Sequence, residues 1–190
     1  MAVNSTMLAL GTQAPAFALP EPRTGKTVAL TEFGQPALLV MFICNHCPYV
    51  QHVRPGLVQL RADYAEADLG MVAISANDPV THPGDAPDQI AEEARAQGYR
   101  FPYLFDESQE TAKAYTAACT PDFFLFDGGR RLAYRGRLDG ARPGNDLPVT
   151  GEDLRRAIDA LLAGGPVPAE QYPSLGCSIK WRPGNEPAYA

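Results

Sequence analysis

Ala37-Leu38-Leu39-Val40-Met41-Phe42-Ile43-Cys44-Asn45-His46-Cys47-Pro48 is the stretch that decides the fold. Its apolar run does not alternate with polar residues, so it reads as a strand buried on both faces, as at the centre of a parallel sheet. The run ends in two cysteines separated by two residues. A helical pattern follows from about His46 to Ala67, with Val50, Val53, Leu57, Leu60 and Tyr64 on one stripe. Pro55-Gly56 interrupts the pattern and predicts a kink or break. The order strand, cysteines, helix puts both sulfurs at a helix N-terminus, where free N–H groups and the helix dipole favour a thiolate. Their spacing brings them close enough for a disulfide, and such a pair suits reversible dithiol–disulfide chemistry. Two other readings compete: inert buried cysteines, or half of a zinc site. The zinc reading lacks a second Cys/His pair at comparable spacing.

The surrounding chain has 190 residues, 45% of them hydrophobic and 20% charged, which suits one ordinary globular domain. Its formal net charge of −6 and the lack of a basic cluster argue against nucleic-acid and anionic-membrane partners. Met1 to Thr6 has no basic stretch followed by a long apolar one, and no apolar run reaches membrane-spanning length. These features predict a cytoplasmic protein, where paired cysteines are more often catalytic or metal-binding than static disulfides.

Outward from the central stretch, Ala16–Leu19 and Thr27–Leu30 flank Arg23-Thr24-Gly25-Lys26 and predict an N-terminal hairpin, followed by a short helical turn at Thr31–Gly34. Leu69 to Ala76 reads as a second buried strand and Gln89 to Gln97 as a helix. Tyr103–Phe105 is a short strand, and Ser108 to Ala118 a helix capped by Ser108. Phe123–Asp127 and Leu132–Gly136 form an antiparallel hairpin around Gly128-Gly129. An amphipathic helix opens at Gly151 and stops at Gly164-Gly165. The tail from Pro166 carries Tyr172, Leu175, Cys177, Ile179 and Trp181, enough apolar anchors to pack on the domain. The pattern predicts an α/β fold with a central mixed sheet flanked by helices. It comprises a domain over residues 1–165 and a packed tail over 166–190.

These residues resemble the thioredoxin-like superfamily. Cys44-Asn45-His46-Cys47-Pro48 looks like its active-site motif, and Thr120-Pro121 like its cis-proline loop. Ala14-Pro15-Ala16-Phe17 with Thr31-Glu32-Phe33 is similar to the start of the peroxiredoxin or AhpC/TSA branch. A closer likeness to peroxiredoxin-like, redoxin-domain proteins runs through Asn77-Asp78-Pro79-Val80, Tyr134–Arg137, Arg142–Asn145 and Gly176–Trp181. Three features depart from those patterns. Cys44 stands where peroxiredoxins have a threonine, and Pro121–Phe124 holds no counterpart of their activating arginine. Leu38 stands where thioredoxins carry a buried acid.

The resemblance implies a thioredoxin-like fold and a thiol–disulfide oxidoreductase. Cys44, the more exposed sulfur, is the expected nucleophile and Cys47 the resolving one. His46, as imidazolium, stabilises the thiolate. Thr120, Pro121, Asn45 and Pro48 form the expected substrate-binding set. No cofactor and no metal are expected. The partners are a disulfide-bearing protein or small molecule and an external thiol donor. Cys119 and Cys177 read either as buried side chains or as additional redox groups, with Lys180 and Trp181 as part of a substrate wall. Asn77, Asp78 and His82 are candidates for lining a pocket, on a loop over Asn77–Asp88 that reads as solvated. Rival readings are an atypical thiol peroxidase using Cys44 or Cys47, and a soft-metal chaperone binding copper through Cys44 and Cys47 together with His46, His52 or Cys177.

Overall fold

A computed structural model describes residues 2–66 and 68–190. In chain order its elements are β1 (Ala2–Asn4), β2 (Ala18–Glu21), β3 (Lys26–Ala29), β4 (Ala37–Phe42), α1 (Pro48–Asp63), β5 (Leu69–Ser75), α2 (Pro87–Ala96), β6 (Tyr103–Phe105), α3 (Glu110–Ala114), β7 (Cys119–Thr120), β8 (Asp122–Phe126), β9 (Leu132–Gly136), α4 (Glu152–Leu162) and β10 (Leu175–Ser178). The main sheet runs β6-β5-β4-β8-β9. β4 pairs in parallel with β5 and antiparallel with β8, so the sheet is mixed as expected.

The non-alternating run of β4 has a direct cause, because both its faces are covered. Leu39 and Met41 face one apolar layer, with Leu57 and Leu60 of α1 and Leu154 and Ile158 of α4. Leu38, Val40 and Phe42 face the other, with Phe17, Tyr115 and Phe124. Every β4 residue is fully buried. At roughly 25 cal/mol per Å² of apolar area removed from water, this double cover makes β4 the strand that holds the site in place.

β2 and β3 form the expected hairpin. The tail contributes β10, which pairs with β1 on one side and β7 on the other, making a separate three-stranded sheet. Among the described residues no helix is long and apolar enough to cross a membrane.

Three expectations need correction. Helix α1 begins at Pro48, with Cys47 as its N-cap, and runs unbroken through Pro55 to Asp63. Packing outweighs the hydrogen bond that Pro55 cannot make: Val53 and Leu57 are buried on either side of it. Gly56 lets the 138–151 segment approach, since a Cβ there would lie 2.7 Å from Val149 Cγ1. The expected helix end at Ala67 lies outside the described residues. The helix over Ser108–Ala118 shrinks to Glu110–Ala114, because Thr116 turns the chain at φ 50° into β7. Ser108 still helps to start it, accepting the Glu110 N–H at 3.2 Å. Finally, the Asn77–Asp88 loop is not a solvated excursion: Asn77, Asp78 and Asp85 are all buried.

Candidate functional site

Beyond β4 the chain turns through residues 43–47 and enters α1. Pro48 takes the first helical position, where a missing N–H costs little. The turn delivers Cys44 and Cys47 to Thr120, the residue before a cis Thr120-Pro121 peptide bond. Cys44 Sγ lies 3.3 Å from Thr120 Oγ1, and Cys47 Sγ donates to Thr120 O at 3.1 Å. One residue thus touches both sulfurs, through its side chain and its backbone. Exposure does not separate the two, because both are buried, Cys44 at 1% and Cys47 at 0%. The turn folds beneath the loop over residues 77–88 on one side and beneath the tail on the other, which closes off both thiols.

The loop side is polar. Asp85, fully buried, receives the Asn45 N–H on Oδ1 at 2.7 Å and the Asn77 side-chain amide on Oδ2 at 2.8 Å. The same Oδ2 pairs with His46 Nδ1. The ligating atoms of Cys44, His46 and Asp85 all lie within 4.8 Å of one another. His82 stacks on His46, ring centroids 5.0 Å apart. Burial, then the neighbouring His46, hold His82 below the usual imidazole range. The expected role of Asn45 in binding substrate does not fit its contacts. Its side chain donates to Gly84 O at 3.0 Å and accepts from Tyr103 Oη at 3.1 Å, which leaves it as a tie between loop and turn.

The tail side is thiol-rich. In the β10–β7 register Cys177 stands opposite Thr120, and Ser178 opposite Cys119. Side chains of a register pair share a face, so Cys177 points the same way as Thr120, whereas Cys119 points the other way. Cys177 packs against the apolar cluster that includes Cys44 and Cys47. It is half-buried where the other three cysteines are buried, and all four are free thiols. Cys119 rests 3.8 Å from Pro121 O, its thiol pushed up by burial and by Asp122. Lys180 and Trp181 make no hydrogen bond to the sulfurs, although the Lys180 charge, held at Ser178 O, lowers Cys177. The Lys180 backbone N–H ties to Asn77 Oδ1 at 2.8 Å, and Trp181 packs on the opposite apolar layer, edge-on to Tyr189.

Cys44 and Cys47 titrate as a unit that shares a proton. Its hydrogen bond to Cys47, then burial and the Asp85 carboxylate, push Cys44 up. The hydrogen bond from Cys44 pulls Cys47 down against burial, helped by Cys177 and by the backbone N–H of Val50 in the first turn of α1. The helix N-terminus favours negative charge at Cys47, and the Asp85 carboxylate opposes it at Cys44. Thr120 O accepts the Cys47 S–H when both thiols are protonated.

Sequence reasoning named Asn77 as a pocket candidate but missed Asp85, which Asn77 holds beside the dithiol, and the pairing of Cys177 with Thr120. An acid in a loop rich in Pro and Gly gives no local signal of burial. It also missed Asp122, which follows the cis-proline and is buried. Its carboxyl is pushed well above the carboxylate range by burial, although Oδ1 accepts the Phe123 N–H at 3.1 Å. A small pocket beside Pro121, lined by Tyr49, Phe123, Arg142 and Leu175 among others, includes none of the four cysteines.

A mixed sheet between helices, with two cysteines at a helix N-terminus facing a cis-proline loop, is the thioredoxin-like architecture. Within that class the chain belongs to the AhpC/TSA family, whose model matches residues 10–135. Among solved structures it is similar to an uncharacterized conserved protein from Geobacillus kaustophilus, at 52% identity and TM-score 0.95, covering 97% of this chain and 98% of that one. A hypothetical protein from Sinorhizobium meliloti 1021 is 50% identical with TM-score 0.93, over 95% of this chain and 99% of that one. A putative thiol:disulfide interchange protein DsbE from Chlorobium tepidum is 25% identical with TM-score 0.64, over 82% of this chain and 99% of that one. No curated protein matches the chain.

Proposed function

We propose that this protein is a thiol–disulfide oxidoreductase acting through Cys44 and Cys47. The observation that carries this reading is that Cys44 and Cys47 both contact Thr120 of the cis peptide, one at its hydroxyl and one at its carbonyl. The likeness to a putative thiol:disulfide interchange protein supports it.

In this reading Cys47 is the attacking thiolate. It bonds to one sulfur of a substrate disulfide, and the other substrate sulfur leaves as a thiolate. Cys44 then gives up its proton and attacks Cys47. The Cys44–Cys47 disulfide forms and the second substrate thiol departs. Two thiols of an external donor restore the dithiol. The expected roles of Cys44 and Cys47 are thereby exchanged, because the Asp85 carboxylate beside Cys44 and the helix N-terminus at Cys47 place the charge on the second sulfur. His46, held by Asp85, is the positioned base for the Cys44 proton. The substrate is a disulfide in a protein or a small molecule, and no cofactor takes part.

The test is dithiothreitol-driven reduction of insulin disulfides, with disulfide mapping of the protein after each turnover. The expected result is a Cys44–Cys47 disulfide in the oxidised form and loss of activity in both Cys44→Ser and Cys47→Ser. Oxidised protein in which Cys44 and Cys47 remain free thiols would sink the reading.

Metal binding has one observation in its favour, the Cys44, His46 and Asp85 donors within 4.8 Å of one another. Against it, both Asp85 oxygens already accept hydrogen bonds. Zinc or copper(I) retained stoichiometrically through desalting, and lost in Asp85→Asn, would favour it. The peroxidase reading finds no arginine bonded to either sulfur among the described residues.

A further inference from the structure

Cys44 and Cys47 are 1% and 0% exposed whereas Cys177 is half-buried, so a third sulfur lies nearer to solvent than either member of the pair. Thiol–disulfide exchange needs the attacking sulfur, the attacked one and the leaving one nearly in line. Cys177, half-buried, shares a face with Thr120 and packs against the cluster that holds the pair. Its strand is seated closely on the cis peptide. A Cβ at Gly176 would stand 2.0 Å from Thr120 O and 3.1 Å from Pro121 N, so only glycine lets the tail bring its neighbour Cys177 this near.

We propose that Cys177 is a third redox-active thiol, which takes over the disulfide from the buried pair and presents it to the external thiol donor. The inference rests on the dithiol reading above. In the first step the Cys177 thiolate attacks Cys47 in the Cys44–Cys47 disulfide. The Cys47–Cys177 bond forms, the Cys44–Cys47 bond breaks, and Cys44 leaves as a thiolate that takes up the proton Cys177 gave up. This step moves the disulfide without net oxidation. A donor thiolate then attacks Cys177, the accessible sulfur, and expels Cys47 as a thiolate. A second donor thiol releases the donor as its disulfide and frees Cys177. Two donor thiols are oxidised and one protein disulfide is reduced.

The electrostatics act as a gate in the same direction. In the dithiol form Cys177 is pushed up to about 11, by burial and then by its hydrogen bond to Cys47, so it rests as a thiol. Oxidation of Cys47 removes that partner and its charge and leaves burial opposed by the Lys180 charge, which makes Cys177 a better nucleophile when the disulfide needs moving.

Two measurements test this. Cys44→Ser, oxidised with diamide and mapped by mass spectrometry without reduction, is expected to contain an intramolecular Cys47–Cys177 disulfide. The Cys44–Cys47 disulfide of Cys177→Ser is expected to be reduced by dithiothreitol about 10-fold more slowly than that of the parent, because direct access is lost. Free Cys47 and Cys177 thiols in folded, diamide-treated Cys44→Ser would overturn the inference. So would equal reduction rates in Cys177→Ser and parent, while the dithiol reading stood. Absence of a Cys44–Cys47 disulfide from both the parent and Cys177→Ser would instead remove the dithiol reading.

Discussion

The two flanks of the sulfur pair are built from different chemistry. On the Cys44 flank a loop supplies charge: Asp85, fully buried, joined to His46, Asn77 and the Asn45 N–H. On the Cys47 flank a strand supplies another thiol, Cys177, with no acid bonded to it. The first flank is suited to holding and moving protons, the second to exchanging sulfur partners. The difference also divides the load on folding. A buried carboxylate is tolerated only because its oxygens are hydrogen-bonded, so the loop flank depends on every partner being present. The strand flank depends on close backbone approach instead.

That contrast gives an order of effects. Gly176→Ala breaks the strand flank outright. The new methyl would overlap the Thr120 carbonyl, and a loss of about 3 kcal/mol is expected from the forced separation of β10 and β7. Thermal unfolding measures it, and an unchanged melting temperature would refute the close seating. Asp85→Asn keeps the shape of the loop flank but removes its charge. Cys44 then loses one cause that holds it up, and His46 loses the group that orients it. Disulfide reduction is expected to slow roughly 10²-fold, the usual scale for a displaced general base, with a changed pH profile at neutral pH. Thiolate absorbance near 240 nm against pH reads the shift.

Asp122→Asn sharpens the comparison by removing a buried acid behind the strand flank. Its carboxyl is held above the carboxylate range in the fold, so the folded chain binds more protons than the unfolded one. Stability therefore falls as pH rises above the unfolded value, through the folded one. The variant is expected to be more stable by about 1 kcal/mol at pH 8, with the gain vanishing toward pH 4. Melting curves at the two pH values decide it. The smallest effect belongs to His82→Ala, which removes one face of the stacked imidazoles and costs about 0.5 kcal/mol. A urea titration resolves a change of that size.

The central strand, the dithiol and the helix after it were legible because their signal is local. A run of six apolar residues with no alternation has few other solutions in an α/β chain, and two cysteines before a Pro-started helix mark a definite place. The rest of the site was not legible, for reasons of distance and element length. Asp85 lies in a segment whose Pro, Gly and Asp content reads as solvent-exposed. Its burial comes from contacts to Asn45 and Asn77 that no periodicity announces. β7 is two residues long, too short for any pattern, and its partner β10 begins beyond the last helix. The burial of both sulfurs was not legible for the same reason, since the cover comes from both of those unannounced segments.

The register of β10 has a practical side. Its outer neighbour is β1, in which Ala2 stands directly across from Cys177. A purification handle fused before Ala2 would begin one strand-width from that cysteine and share its hydrogen-bonding edge. Redox measurements on tagged protein would then report on the handle as well as on the thiols, so assays of this chain call for cleaved or C-terminally extended material, compared side by side.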